Sequence, residues 1–361
     1  MVKFLQAILL TLVLGFTLFA GSHSAEAQLS FDPADYRGRI TLSEKKTPYY
    51  RTNPLNKPNP KIERLIIVIH GTNRNADKYF SSMVNVVAEA RELSRTAVIT
   101  PQFQTEEDSP QADEYYWSSG GWKQGHYSKP KKEFPRISSF GVVATLIQQC
   151  EQESGPFPNL KSVILIGHSA GGQFLNRFAA RFPQNTNDFV SEQIIVLNPS
   201  SYLYLDNRRK DSKGVFRSWD ESPEPYNEYK YGLDKRNGTM SVLTVEKTKN
   251  IMSANLIHYL TGTEDVEQDE FLEQSLPAKI QGLNRYDRWY TYREYVALFP
   301  DWKANATFQS VPNVGHSSAQ MFASRQVIQI LFRKSNRPIA TPVSPDLALK
   351  ARSLDSFYQS K

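Results

Sequence analysis

The stretch Ser162-Val163-Ile164-Leu165-Ile166-Gly167-His168-Ser169-Ala170-Gly171-Gly172-Gln173-Phe174 decides how this chain folds. Val163 to Ile166 is a continuous apolar run, which reads as a strand buried on both faces. From Gln173 to Phe182 the period changes: Phe174, Phe178 and Phe182 recur every four residues, and Pro183 closes the run. That is a helix. Between the two lies Gly167-x-Ser169-x-Gly171. A strand-to-helix turn this sharp has no room for side chains at its flanks, so glycines stand there and the serine is pushed out above the sheet. The N-terminus of the following helix then aims its free N–H groups at that serine. A phosphate-binding turn would need Gly-Lys-Ser/Thr or Gly-x-Gly-x-x-Gly, and this stretch has neither.

The same alternation extends outward in both directions. Short apolar runs at Arg64–Ile69, Ala97–Thr100, Ser162–Ile166, Gln193–Leu197, Asn255–Leu260 and Thr307–Val311 read as buried strands. Helical patterns fill the gaps, as where Val143, Leu146, Ile147 and Cys150 fall at i, i+3, i+4 and i+7. The expected fold class is α/β, with a mostly parallel central sheet flanked by helices, over residues 61–334. Residues 28–60 are Pro-punctuated and predict an extension with one or two edge strands, at 38–42 and 49–52. Residues 200–250 and 266–300 break the alternation and read as helical and loop cap insertions over one end of the sheet. Residues 335–361 read as a flexible tail.

Composition excludes several classes. Among 361 residues, aromatics at 12% are too core-forming for a disordered chain. One cysteine excludes an intrachain disulfide and any multi-cysteine metal site, and its place on an apolar helix face predicts an inert buried thiol. No His or acidic cluster has metal-ligand spacing, so no metal and no cofactor are expected. A net charge of +6 is modest for this length and does not by itself imply nucleic acid. Residues 1–27 have a basic start at Lys3, an apolar run from Phe4 to Ala20 and an Ala25-Glu26-Ala27 ending. That is the pattern of a cleaved signal peptide, predicting a secreted or periplasmic protein. The competing reading is an uncleaved anchor, but the run only just reaches spanning length, and no stable membrane anchor is expected.

Ile66-Ile67-Val68-Ile69-His70-Gly71-Thr72, then Gly167–Gly171, then the late Gly315-His316 resemble the α/β-hydrolase superfamily. The resemblance spans about residues 60–334. It implies an ester-cleaving serine hydrolase in which Ser169 is the nucleophile and the backbone N–H groups of Thr72 and Ala170 form the oxyanion hole. His70 reads as a structural histidine that positions the oxyanion loop. The general base follows by elimination among six histidines. His23 belongs to the leader; His70 and His168 precede Gly71 and Ser169 and point away; His258 lies inside a strand as a hydrogen-bonded core residue. His126 remains as a lining candidate, and His316 sits in the loop after the last strand, where the superfamily presents its base. The third member should be a carboxylate between Ser169 and His316. Asp265, in the loop after the strand ending at Leu260, is the expected one, with Glu264 and Asp206 as alternatives.

The expected activity is carboxylic ester hydrolysis through an acyl-enzyme, on a small-molecule or oligomeric ester. A serine peptidase or amidase on the same fold, or a non-catalytic secreted binding protein, are the alternatives. The insertions are aromatic-rich: Tyr202, Tyr204, Trp219, Tyr226, Tyr229 and Tyr231 interleave with Arg208-Arg209-Lys210, and Trp289, Tyr292, Val296 and Phe299 repeat at helical spacing. Aromatics among basic residues can bind single strands, but a lid packed on itself is the reading adopted, so no nucleic acid is expected. The helical stripe reads as a packed capping helix. Both insertions are expected to roof Ser169 with apolar walls suited to short or medium acyl groups. The loop Trp117–Trp122 is expected to border the cleft. Asn237-Gly238-Thr239 and Asn305-Ala306-Thr307 are glycosylation acceptors only in a eukaryotic secretory route.

Overall fold

The computed structural model describes residues 32–332 except 131, 133–134, 185–189 and 220–224. The leader at 1–27 and the tail at 335–361 therefore lie outside the described residues. In chain order the elements are β1 (Arg37–Leu42), β2 (Lys45–Arg51), β3 (Arg64–Ile69), α1 (Ala76–Glu89), β4 (Thr96–Pro101), α2 (Ser139–Glu151), β5 (Ser162–His168), α3 (Ala170–Phe178) and β6 (Ser191–Leu197). There follow β7 (Arg208–Lys210), β8 (Phe216–Ser218), α4 (Val245–Ala254), β9 (Ile257–Gly262), α5 (Leu276–Lys279) and α6 (Arg285–Val296). The last four are α7 (Pro300–Asn305), β10 (Ala306–Val311), α8 (Ser318–Phe322) and α9 (Arg325–Phe332).

Eight strands form one sheet in the order β1-β2-β4-β3-β5-β6-β9-β10. From β4 to β10 every neighbour pair is parallel, while β1 and β2 pair antiparallel at one edge. The Pro-rich N-terminal zone thus supplies the edge strand β1 and its neighbour β2, and Pro48 of β2 faces Arg39 of β1 just before the β2–β4 pairing starts at Tyr49. Each central run is buried on both faces. Leu65, Ile67 and Ile69 of β3 enter one apolar cluster, whereas the alternating Ile66 and Val68 are equally buried against the opposite layer. Helix α1 packs on β2, β3 and β4, α3 on β3, β5 and β6, and α6 on β9. Strand β9 starts two residues later than the apolar run suggests, because Asn255 is taken up by helix ends: its side chain donates to the carbonyls of Ala179 and Phe182.

Several aromatic residues of the insertions turn inward. Tyr202 stacks on Tyr292 with centroids 4.2 Å apart, Tyr204 meets Tyr295, and Tyr259 stacks on Phe308. Tyr292 donates its hydroxyl to the Leu203 carbonyl, and Trp289 its Nε1–H to the Tyr259 carbonyl. The stripe on α6 is therefore core against β9, as the packed reading of that helix expects. The Arg208-Arg209-Lys210 run is also accounted for. Arg208 pairs with Asp206 and Lys210 with Glu294, while Arg209 lies buried over the Tyr204 ring at 4.0 Å. For four of its members the expected roof of Tyr and Trp walls is thus corrected: Tyr202, Tyr204, Trp289 and Tyr292 are spent on holding the insertions together. Among the described residues no helix is long and apolar enough to cross a membrane.

Candidate active site

β3 and β5 are neighbours, with Ile69 paired to Gly167, so the turns that follow them leave the sheet side by side. Ser169 is the N-cap of α3 and holds φ 58° and ψ −117°, a conformation that L residues adopt only under constraint. The constraint is packing. A Cβ on Gly167 would stand 2.4 Å from the Gly171 carbonyl oxygen, and one on Gly171 would stand 2.1 Å from that of Ile69. Only glycines let β5 turn into α3 while α3 presses against the end of β3. The side chain of Ser169 is nearly buried, and its backbone N–H is taken by the Leu197 carbonyl at 2.9 Å.

Two distant loops meet this serine. His316, between β10 and α8, places Nε2 3.0 Å from Ser169 Oγ and Nδ1 2.8 Å from Asp265 Oδ2. Asp265 follows β9 and is 1% exposed. A carboxylate only accepts, so Nδ1 carries the hydrogen and Nε2 is left to accept from the serine hydroxyl. Asp265 Oδ2 also accepts from Asn198 Nδ2 at 2.6 Å, and Oδ1 lies 3.4 Å from Arg285 Nη1. The structure brings Ser169, His316 and Asp265 into one hydrogen-bonded chain. It leaves the alternatives elsewhere: Glu264 is exposed, and Asp206 binds Arg208 and the Tyr295 hydroxyl.

The remaining histidines have settled places. His70 donates from Nδ1 to the Gly71 carbonyl at 2.9 Å and accepts at Nε2 from the Phe103 N–H at 3.0 Å, which fixes the loop that leads to Thr72. Complete burial holds its pKa down to about 4. His168 packs on His316 with ring centroids 4.6 Å apart and binds the Tyr79 hydroxyl. Burial first, then the neighbouring His316, keeps it well below the usual histidine range and hence neutral. His258 is held by Thr307 and Gln193. His126 lines a cavity of about 320 Å³ together with Tyr127, Lys129, Arg136 and Asn237. Cys150 is fully buried, and burial pushes its thiol up to about 12.

Thr72 and Ala170 stand on the two adjacent turns. The Thr72 hydroxyl accepts from Lys123 Nζ at 3.0 Å, and Lys123 follows the buried Trp122 of the Trp117–Trp122 loop. Four partners escaped the sequence reading: Asn198, Arg285, Asp269 and Arg177. A signal existed for two of them. Asn198 ends an apolar run at the C-terminal edge of a parallel strand, where site residues gather. Gln173, Arg177 and Arg181 recur every four residues beside the phenylalanines, a polar stripe on a helix buried nearly all round. Nothing in the local pattern marks Arg285 or Asp269, which meet Asp265 only through the fold.

Among the described residues no group of three His, Cys, Asp or Glu side chains is placed to hold a metal ion. No protein-family model matches the chain, and no curated protein matches it by sequence. Solved structures do. A poly(3-hydroxybutyrate) depolymerase from Bordetella parapertussis superposes with a TM-score of 0.58 at 20% identity, covering 87% of this chain and 94% of its own. A poly(aspartic acid) hydrolase-1 from Sphingomonas sp. KT-1 gives 0.55 at 20% identity, covering 82% and 97%. These likenesses run over nearly the full length of both neighbours. The chain has the α/β-hydrolase fold.

Proposed function

We propose that this chain is an exported serine hydrolase that cleaves carboxylic esters through an acyl-enzyme. The observation that carries the reading is the hydrogen-bonded chain Ser169–His316–Asp265 at the strained turn after β5. Ser169 Oγ attacks the ester carbonyl carbon while His316 Nε2 takes its proton, and Asp265 stabilises the imidazolium that forms. The carbonyl oxygen becomes an oxyanion, held by the N–H groups of Thr72 and Ala170; removing one such donor typically costs about 3 kcal/mol of transition-state stabilisation. Collapse returns the His316 proton to the leaving alcohol. Water, deprotonated by the same imidazole, then releases the acid and restores Ser169. Residues 1–27 would direct export and be removed.

Amide cleavage is the second reading, since one similar structure is of a hydrolase of poly(aspartic acid) and the other of a depolymerase of a hydroxyalkanoate polyester. Labelling with a fluorophosphonate tests the first step: one adduct per chain is expected, on Ser169 by peptide mapping, and none in Ser169→Ala. Labelling that persists in Ser169→Ala, or never occurs, would leave a non-catalytic binding protein. A panel of matched esters and amides decides between the two reactions.

A further inference from the structure

The two insertions bring charge to the first turns of α3. Arg177 follows Ser169 by eight residues, with Gln173 between them at the i+4 position, so the three share one helix face. Arg177 is fully buried, yet among the described residues its guanidinium hydrogen-bonds only neutral acceptors: the carbonyls of Gln173, Ser201 and Lys230 and the Ser201 hydroxyl. Lys230, from the first insertion, forms an ion pair with Glu273, from the second, and Glu273 also accepts from Ser201 Oγ at 2.8 Å. The Ser201 hydroxyl also lies 3.2 Å from Gln173 Oε1. Lys123 is the third cation. Its Nζ makes one hydrogen bond, to Thr72 Oγ1, and has no carboxylate within 4 Å among the described residues.

Charge does not balance here. Among the described residues, Lys123, Arg177 and Lys230 are within mutual electrostatic reach and share one carboxylate, Glu273. Arg74 is nearby too, but it is neutralised by Glu107 and Asp108. Burial works first against the Lys123 charge, and the like charges of Lys230, Arg74 and Arg177 add to it, so its ammonium sits below the ordinary lysine range. A half-buried ammonium with one neutral partner and like charges around it is unfavourable unless an anion completes it.

We propose that Lys123, backed by Arg177 and Lys230, is a specificity residue that binds a carboxylate on the acyl part of the substrate. The inference rests on the ester-hydrolase reading of Ser169. Lys123 is anchored on the hydroxyl of Thr72, whose N–H is assigned to the carbonyl oxygen, which puts its ammonium beside the ester group that Ser169 attacks. The preferred substrate class is therefore an ester of a dicarboxylic acid with one free carboxylate, or an acyl unit of equivalent charge.

Monoethyl glutarate and ethyl valerate test it, because they differ only in a carboxylate replacing a methyl at the chain end. The wild type should prefer the glutarate ester in kcat/KM by about tenfold or more, as a charge-assisted hydrogen bond provides. In Lys123→Gln that preference should fall at least tenfold, Lys123→Arg should restore most of it, and 0.5 M salt should weaken it in the wild type. An equal or greater rate on ethyl valerate in the wild type, or an unchanged ratio in Lys123→Gln, overturns the proposal and leaves the ester-hydrolase reading intact. Calorimetric titration of glutarate into Ser169→Ala decides the point without turnover. Binding that disappears in the Ser169→Ala, Lys123→Gln double variant supports the carboxylate site even if neither ester is cleaved; binding unaffected by Lys123→Gln, or absent altogether, sinks it.

Discussion

Arg285 stands between two carboxylates and divides itself unequally: it holds Asp269 through two bonds of 2.8 Å and approaches Asp265 only to 3.4 Å. Arg285 and Asp265 are both essentially unexposed. A carboxylate so deeply buried needs partners to remain charged, and Asn198, Arg285 and His316 supply them. A guanidinium bound squarely to Asp265 would compete with the imidazolium that Asp265 must stabilise. Asp269 prevents that by taking the fork, and its own carboxyl is held below the usual range by Arg285 against the cost of burial.

The first prediction follows from this division. Asp269→Asn removes a negative charge within reach of His316 and releases the Arg285 fork toward Asp265. The imidazolium that forms as Ser169 is deprotonated then loses part of its support. A several-fold loss of kcat is expected in steady-state assays, with the fold unchanged by circular dichroism. An unchanged kcat assigns the Arg285–Asp269 pair to packing alone.

Three carboxylates can be separated by conservative amide variants. Asp265→Asn would present an N–H to His316 Nδ1, forcing the hydrogen onto Nε2, where the ring can no longer accept from Ser169. A loss of roughly four orders of magnitude in kcat is expected. Glu264→Gln is exposed and should change nothing measurable. Asp206→Asn loses the partner of Arg208 and Tyr295, and should cost about 1 kcal/mol of stability with kcat within a few-fold. An active Asp265→Asn beside a dead Asp206→Asn would move the acid to the earlier loop.

Acid should destabilise the fold through His70. In the unfolded chain this histidine binds a proton near pH 6.5, whereas in the fold burial holds it at about 4. Between those values the unfolded state carries more protons, so stability is lost as pH falls through the window. The slope is about 1.4 kcal/mol per pH unit, or on the order of 3 kcal/mol in all. Protonation at Nε2 would also break the bond from the Phe103 N–H. Urea midpoints from pH 7.5 to 4.5 should fall less steeply in His70→Gln, by about one proton; parallel slopes would mean that other groups set the acid limit.

The parts of this structure that were legible in sequence are those whose cause is local. A five-residue run such as Leu65–Ile69, without alternation and too short for a helix, reads as a strand covered on both faces, and β3 starts one residue before that run and ends with it. Ser169 is legible because a sharp turn demands glycines at fixed offsets. His316 yields to elimination because so few histidines exist. What stayed hidden depends on side chains meeting from distant segments. Tyr202 and Tyr292 are 90 positions apart in numbering, and only their stacking shows that they form a core and not a cleft wall. Arg177 meets Ser201 and the Lys230 carbonyl, with Glu273 in electrostatic reach, only because the insertions fold over α3. Charge balance in a buried cluster is a property of the fold, and no spacing rule reports it.

The last prediction concerns Gly171, where sequence, packing and chemistry meet in one atom. A Cβ there would stand 2.1 Å from the Ile69 carbonyl oxygen and 2.8 Å from that of His70. These are backbone atoms of the central strand and its turn, so no side-chain rotation can relieve the clash. Ordinary carbon–oxygen contact requires α3 and the His70–Thr72 turn to part by about 1 Å. Overpacking of this kind typically costs about 1–3 kcal/mol, occasionally more, and a fold with so many buried strands should survive it. Catalysis should not. Thr72 and Ala170 lie on the two sides of this contact, and parting them by about 1 Å spoils a two-donor oxyanion hole, with a loss of roughly a hundredfold. Gly171→Ala should therefore keep its circular dichroism spectrum and melt only modestly earlier, while kcat falls about a hundredfold and fluorophosphonate labelling of Ser169 slows with it. Full activity in a folded Gly171→Ala protein would show that the two turns do not share the oxyanion, and would withdraw Thr72 from that role.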